Sequence, residues 1–356
     1  MYKKDLVTRY ARSNSYRVLL FFVVLLLLPV LFCVSLSVGS AAISVWEVFL
    51  VLFGGEVDER FVRIILNIRL PQSIAALLAG AGLSICGAVM QGVLRNPLCS
   101  PFTLGISSAA AFGAALTLLI FGGKIVAQDN TMINLGLSQS AIAGGAFLLS
   151  IATCVVILLL DRLCGSRTET IILLGVAFSS LFTAGLMFLQ YIADESRLAA
   201  IVYWTFGDTA RGTWSTITIL AICTIPVSIY FVSQSWNYNS LSFGEETARS
   251  LGVPVRRVQL VTMILSSFLT AVLVSLLGII GFVGLVVPHL SRLIVGSDYR
   301  FLLPFSLVFG GFLLLFADTA ARVMLSPRIL PVSILTAFIG APVFISLLIG
   351  RGGRAL

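Results

Sequence analysis

The chain has 356 residues, of which 58% are hydrophobic and only 11% are charged, and its mean hydropathy is +1.07. A soluble domain carries roughly 25% charged residues, so this composition excludes a soluble protein and predicts one that crosses a membrane several times. The net charge of +8 does not indicate nucleic acid as a partner, because most of the excess lies in short stretches between apolar runs, where positive charge sets topology.

Apolar runs of spanning length predict an all-α polytopic membrane protein with ten transmembrane helices in a single permease domain, 1–356. The runs are 18–38, 70–93, 103–122, 138–160, 170–192, 214–232, 258–278, 281–296, 301–321 and 332–350. Shorter helices are predicted at 43–53 and 198–206. The eighth run is short and contains Pro288 among several glycines, so we expect a broken, flexible segment there.

The amino terminus carries five basic residues ahead of the first apolar run. This pattern also fits a signal peptide, with Gly39–Ala42 as a candidate cleavage site. Because the run is long enough to span and the later helices need it for alternation, we interpret 1–17 as a cytoplasmic tail before the first span. With a cytoplasmic amino terminus, fifteen of the 23 lysines and arginines fall on the cytoplasmic side and eight outside. The bias predicts that both termini are cytoplasmic.

The most distinctive stretch runs from Arg69 to Gly113. Small residues recur at every fourth position, which on a helix makes one face with little side-chain bulk: Ala76, Gly80, Ser84, Ala88 and Gly92. A second such face follows at Gly105, Ala109 and Gly113, and the polar, proline-containing segment 95–101 separates the two. We therefore predict two closely packed membrane helices joined by a tight, ordered loop.

The loop 233–257 is the longest predicted on the cytoplasmic side. Ser242 and Glu245 have the spacing of a capping box, and Gly252 can end the short helix that they begin. Pro254 can then start the next helix. A short amphipathic helix at this position is suited to docking a partner, and a solvated linker is the alternative.

Ionisable residues are rare within the predicted spans. Asp318 and Arg322 lie four apart near the outer end of the ninth span, where they can pair. His289 suits either a structural hydrogen bond or a proton carrier. No acidic residue lies at mid-span, which disfavours a stand-alone ion-coupled carrier. The six cysteines have no metal-ligand spacing.

Sequence motifs for catalysis are absent. The chain has no phosphate-binding P-loop, no zinc-protease motif and no nucleophile elbow. An intramembrane enzyme is therefore disfavoured, and we expect no metal and no cofactor on this chain. If transport uses ATP, a partner must bind ATP and magnesium and hydrolyse the nucleotide.

Four segments together resemble the FecCD-like permease subunits of binding-protein-dependent ABC importers for ferric siderophores, haem and vitamin B12. They are RLPQSIAALLAGAGLSICGAVMQGVLRNPLCSP, ETARSLGV, GFVGLVVPHLSRL and FADTAARVMLSPRILPVSILTAFIGAPVFISLL. The resemblance covers roughly 64–350 and implies a ten-helix, type II importer permease. It also implies a homodimer with one translocation path, two ATP-binding subunits inside and a substrate-binding protein outside. The expected location is the cytoplasmic (inner) membrane, and the expected cargo is an iron complex, with a ferric siderophore favoured over haem or vitamin B12.

The resemblance also assigns roles to residues. Binding-protein docking falls on Arg69 and Arg322, with Asp318 orienting Arg322. Gln72 stands where the vitamin B12 permease has an arginine, which disfavours cobalamin as the cargo. The coupling segment comprises Ser242, Phe243, Glu245, Glu246, Arg249, Leu251 and Gly252. The cytoplasmic gate comprises Asn96, Leu98, Thr168 and Glu169. The path is expected along the fifth and tenth spans, with a small, weakly polar stripe at Gly175, Ser179 and Thr183.

Overall fold

A computed structural model of the chain describes residues 2–39, 41, 43–121, 139–163, 168–325 and 329–352. Within these ranges every regular element is helical, as predicted. The α-helices are α1 (Tyr2–Ser37), α2 (Val45–Phe53), α3 (Glu59–Ile64), α4 (Leu70–Val93), α5 (Ile106–Phe121), α6 (Gln139–Leu163), α7 (Thr168–Ile192), α8 (Glu195–Thr205), α9 (Trp214–Ser233), α10 (Ser235–Ser242), α11 (Glu245–Ser250), α12 (Val255–Leu277), α13 (Val283–Val295), α14 (Tyr299–Met324) and α15 (Val332–Gly352).

The ten predicted spans correspond to α1, α4, α5, α6, α7, α9, α12, α13, α14 and α15. In the part of the chain that the structure describes, seven helices are long and apolar enough to cross a membrane, and α5, α13 and α15 contain shorter apolar helices. The prediction of a multi-pass, all-α membrane protein is therefore confirmed. The cytoplasmic placement of the termini stays a prediction, and two residues of the candidate cleavage site, Ser40 and Ala42, lie outside the described residues.

The helix α4 lies at the centre of the molecule, where it packs against α9, α12, α13 and α14. At its crossing with α14, a Cβ atom on Gly80 would overlap the carbonyl group of Gly310. One turn further along α4, Ser84 Oγ donates a hydrogen bond of 2.7 Å to the carbonyl oxygen of Ser306. The small-residue face predicted on α4 therefore does permit close helix packing.

The loop between α4 and α5 is compact. The amide of Asn96 donates to the carbonyl oxygen of Gln91 at 3.1 Å, and the amide of Arg95 donates to that of Gly92 at 3.2 Å. This is the pairing of a Schellman motif, with Arg95 in the left-handed position (φ 49°). A 3₁₀ turn, Pro101–Leu104, then leads into α5. The tight, ordered loop predicted from the sequence is confirmed.

The predicted break around the eighth span is also present. After α12 ends, the chain runs through Gly278 in a left-handed conformation (φ 79°) and forms an isolated bridge between Ile279 and Phe206. The helix α13 begins only after Phe282, which also has a positive φ of 66°. His289 is buried within α13.

In the predicted topology the spanning helices alternate in direction, which groups the connecting segments at two ends of the molecule. The "cytoplasmic end" holds the α4–α5 loop, the start of α7, α10, α11 and the start of α14. The "outer end" holds α2, α3, α8, a 3₁₀ turn at Thr209–Arg211 and the end of α14. These two names follow the predicted topology.

Candidate functional site: two polar ends of the helix bundle

Arg69 caps the carboxyl end of α1. Its guanidinium donates hydrogen bonds of 2.7 Å to the carbonyl oxygens of Leu36 and Ser37, and a third to that of Ala41. The last carbonyls of a helix lack intrahelical partners, and a cation complements their negative dipole end. The side chain lies at the end of a π-helical turn and is only 4% exposed. The expected docking residue is therefore already engaged inside the protein, and its contact with a binding protein stays a prediction.

Arg322 is buried at the same end but borders an open cleft. Its guanidinium lies 2.7 Å from the Asp318 carboxylate and donates to the hydroxyl (2.6 Å) and carbonyl oxygen (3.0 Å) of Ser35. The ion pair expected between Asp318 and Arg322 is thus present, and the role of Arg322 in docking stays a prediction. The cleft has a volume of about 610 Å³ and is lined by Ser37, Val38, Gly39, Ile43, Ser44, Glu47, Arg322 and Val323.

A buried polar network surrounds this ion pair. The other oxygen of Asp318 accepts a 2.9 Å hydrogen bond from Gln72 Nε2 and a second bond from the hydroxyl of Thr209. Ser73 on α4 and Ser35 on α1 share a hydroxyl–hydroxyl bond of 2.7 Å. Sequence reasoning missed this network apart from Asp318 and Arg322. The signal was available, because polar side chains inside apolar spans are functional or structural candidates by default.

The capping box predicted at Ser242 and Glu245 is wrong. Ser242 is the last residue of α10, and its hydroxyl donates back to the carbonyl oxygen of Asn239 at 2.6 Å. The helix α11 instead begins after Gly244, which has a φ of 114° and offers no side-chain cap. Because α10 already occupies the residues before 243, the Ser242 hydroxyl has a local partner and cannot serve the next helix.

The carboxyl end of α11 is as predicted. Gly252 lies in the left-handed region with a φ of 81°. The amide of Val253 donates to the carbonyl oxygen of Ala248 at 3.0 Å, and the amide of Gly252 donates to that of Arg249 at 2.9 Å. These two bonds complete a Schellman motif, so the segment is an ordered helix and not a flexible linker.

The coupling segment, residues 242–252, presents a free surface at the cytoplasmic end. Ala248 is fully buried, and Glu246 and Arg249 are exposed. Phe243 and Leu251 are 76% and 66% exposed. Large apolar side chains grouped with charges on a surface indicate an interaction site.

The two halves of the predicted gate lie at the cytoplasmic end. In the first half, Asn96 Oδ1 accepts a 2.9 Å bond from the amide of Leu98, whose side chain is exposed. In the second half, Thr168 begins α7 and Glu169 is exposed in its first turn. The side chain of Thr168 lies outside the described residues. Glu169 suits its position, since an acidic group complements the amino end of a helix.

The stripe predicted on α7 does not line an open face along its whole length. Gly175 packs against the backbone of Thr103 and Leu104, where a Cβ atom would overlap the carbonyl oxygen of Thr103. Ser179 lies against Gly105, and only Thr183 is exposed. Two of the three predicted path residues therefore serve the packing of α7 on the loop before α5.

The exposed face of α7 shares only Thr183 with that stripe. Its side chains project from the monomer without burial and follow helical spacing: Leu173, Val176, Ser180, Thr183, Ala184, Met187 and Tyr191. Ser180 is the polar residue on this face that the sequence interpretation missed. Residues three or four apart lie on the same side of a helix, so Thr183 is a neighbour of both Ser180 and Ser179. The sequence interpretation followed the four-residue spacing to Ser179 and left out Ser180.

Comparison with known proteins identifies the family. The model of the FecCD transport family matches residues 26–350. An ABC transporter permease protein of Methanocaldococcus jannaschii is 47% identical over 346 residues, which cover 97% of this chain and 98% of that protein.

Two further relatives carry a cargo in their names. The hemin transport system permease HmuU of Yersinia pestis is 36% identical and covers 91% of this chain and 93% of its own. The molybdate import system permease MolB of Haemophilus influenzae is 36% identical, with coverages of 94% and 96%.

A solved structure has the same fold. It is described as a metal-chelate type ABC transporter in an inward-facing conformation, and it matches with a TM-score of 0.81 and 33% identity over 93% of this chain and 99% of that chain. The type II permease fold expected from the sequence is thus confirmed, and the chain belongs to the FecCD transport family as the permease of an ABC importer.

Proposed function

We propose that this permease moves an iron complex inward, powered by two separate ATP-binding subunits that dock on the coupling segment. The observation that carries the proposal is the free surface of the coupling segment, where Phe243 and Leu251 are exposed beside Glu246 and Arg249. The Schellman motif at Gly252 holds this surface in a fixed shape. A rigid, mixed apolar and charged surface suits a protein partner that pushes or pulls on it.

The translocation path is proposed to run between two copies of the chain. In the described part of the monomer, the long helix α7 leaves most of its length uncovered. Ser180 and Thr183 give this surface a weakly polar character, which would pass a large ligand without holding it. Specificity would then lie in an extracytoplasmic binding protein, and Arg322, at the edge of the outer cleft, is the residue that we propose meets an acidic side chain of that protein.

A ferric siderophore is the cargo that we propose. The names of the relatives span hemin, molybdate and vitamin B12, and the solved neighbour is of metal-chelate type. Hemin and vitamin B12 are chelated metals, whereas molybdate is an oxyanion, so a metal complex is the more frequent kind of cargo among these names. Gln72 replaces the arginine expected in a cobalamin permease, and its amide is engaged by Asp318, which supports a cargo other than cobalamin.

Co-purification tests the core of the proposal. The tagged permease, expressed with its partners and extracted in mild detergent, should elute with an ATP-binding subunit in equal amount. Elution alone, together with transport driven by an ion gradient in liposomes, would instead indicate a secondary carrier. With the complex in hand, uptake of labelled ferric siderophore in competition with haem, cobalamin and molybdate decides the cargo.

A further inference from the structure

We infer that Asn239 and Asp298 form a clamp that transmits movement of the coupling segment to the α4–α5 loop. This inference rests on the proposed function, because it assumes that an ATP-binding subunit moves α11. It adds a route and two positioning residues that the sequence interpretation did not contain.

The clamp joins α10 to the start of α14. Asn239 Nδ2 donates a 2.8 Å hydrogen bond to Asp298 Oδ1, and Asn239 Oδ1 accepts a 2.9 Å bond from the amide of Tyr299. One amide side chain thus uses both its donor and its acceptor on two successive residues. Such a two-point contact fixes orientation as well as distance, so α10 and the first turn of α14 must move together.

Asp298 is held in its charged form. The pKa of the Asp298 carboxyl is lowered to about 2, chiefly by the hydrogen bonds from Arg300 and also by the bond from Asn239, which together outweigh the opposite effect of burial. The guanidinium of Arg300 also lies 4.4 Å from the ring centroid of Trp236 on α10. A cation over an aromatic ring is attracted to it. The start of α14 therefore contacts α10 at two separate places.

The helices α10 and α11 also form hydrogen bonds with α12. Tyr238 on α10 shares a 2.9 Å hydrogen bond with the hydroxyl of Thr262. Glu245 at the start of α11 accepts a 3.0 Å bond from Gln259 Nε2. The coupling segment contacts α12 through Glu245 and continues directly from α10, which contacts both α12 and α14. It therefore cannot shift as an independent loop.

From α14 the contacts continue to the gate loop. The hydroxyl of Tyr299 lies 3.4 Å from Arg292 Nη2, and Arg292 Nη1 donates to the side-chain oxygen of Gln91 in the last turns of α4. The backbone carbonyl of Gln91 in turn accepts the amide of Asn96, which closes the α4–α5 loop. A chain of polar contacts therefore connects α10, beside the coupling segment, with Asn96 and Leu98 in the α4–α5 loop.

Contiguity alone does not establish coupling, which must be measured as a change at one site caused by the other. Amide hydrogen exchange of the full complex, recorded with and without a non-hydrolysable ATP analogue, measures it without knowledge of the cargo. In the native complex, nucleotide should change exchange at both 243–252 and 94–100. Asn239→Ala should preserve the change at 243–252 and reduce that at 94–100 by about fivefold or more, as expected for losing a coupling of allosteric size.

A matched control lies on the same helix. Asn237 donates to Gln234 at 2.6 Å within its own segment, and Asn237→Ala should leave both exchange responses intact. If Asn239→Ala fails to assemble, Asn239→Asp provides a second disruption, since it places a carboxylate beside Asp298. Combining it with Asp298→Asn restores a donor–acceptor pair and should restore part of the response at 94–100.

The outcomes separate the clamp from the proposed function. An unchanged response at 94–100 in Asn239→Ala, in a complex that still contains the ATP-binding subunit, overturns the clamp and leaves the proposed function standing. A native chain that co-purifies with no such subunit overturns both.

Discussion

The guanidinium of Arg322 and the carboxylate of Asp318 form a 2.7 Å ion pair in which both side chains are almost completely buried. The pair joins α14 to α1 through Ser35 and to α4 through Gln72. Charges taken out of water are costly unless they are paired and hydrogen-bonded. Here both carboxylate oxygens and both terminal guanidinium nitrogens have partners, and only Arg322 Nε of the pair is buried without one in the described part of the chain. The outer end of the bundle is therefore held by a polar network and not by apolar packing alone.

Asp318→Asn should strongly destabilise the protein. The substitution leaves Arg322 charged and buried without its counter-ion, and breaking a buried pair costs about 3–5 kcal/mol. Glu59→Gln is the matched control, because Glu59 and Arg63 form a 2.7 Å pair with the same four-residue spacing on an exposed surface. Thermal melts in detergent should show a large loss for the first variant and almost none for the second. Equal losses would mean that burial does not set the strength of the pair.

Arg69→Lys should lower stability by about 2 kcal/mol, the scale of a hydrogen bond to a charged group. A lysine keeps the charge but lacks the planar fork that reaches the carbonyls of Leu36, Ser37 and Ala41 together. Arg63→Lys is the control, since either cation can pair with Glu59 at the surface. Both the melting temperature and the affinity for the binding protein should be measured for each variant. Weaker binding at unchanged stability would assign Arg69 to docking and contradict its capping role.

The sequence predicted helix positions well because lipid imposes a simple rule. A spanning helix must be apolar and about 20 residues long, since its backbone has no water to bond. The run predicted at 70–93 is therefore the same as α4, Leu70–Val93. The small-residue face of α4 was also predictable, because a fixed spacing on one helix directly defines a face.

Contacts between distant segments were not predictable in this way. Arg69 lies near the outer boundary in sequence, but its partners are carbonyls more than 25 residues earlier that approach it only after folding. The spacing of Gly175, Ser179 and Thr183 defines a face of α7, but not which neighbour covers that face. The capping box failed because a second helix, α10, occupies the residues that the motif would use.

Gly175→Ala tests the corrected role of the α7 stripe. The added methyl group would overlap the carbonyl oxygen of Thr103, so we expect a loss of about 1–3 kcal/mol, as for overpacked cores. Gly144→Ala is the same substitution on the neighbouring helix α6, where nothing lies near the added atom. That control should be neutral or slightly stabilising, because alanine favours helix. If the Gly175→Ala protein is stable but does not transport, Gly175 lines the translocation path, as the sequence predicted.

Gly252→Ala should weaken association with the ATP-binding subunit. Alanine in the left-handed conformation costs about 1–2 kcal/mol, and no atom lies within 4 Å of the added methyl group, so the effect is one of backbone conformation alone. Gly54 has the same conformation (φ 80°) and the same open surroundings at the opposite end of the molecule. Gly54→Ala should therefore cost similar local stability but leave the subunit bound. Subunit content after gel filtration distinguishes the two, and equal retention in both variants would show that docking does not depend on the shape of α11.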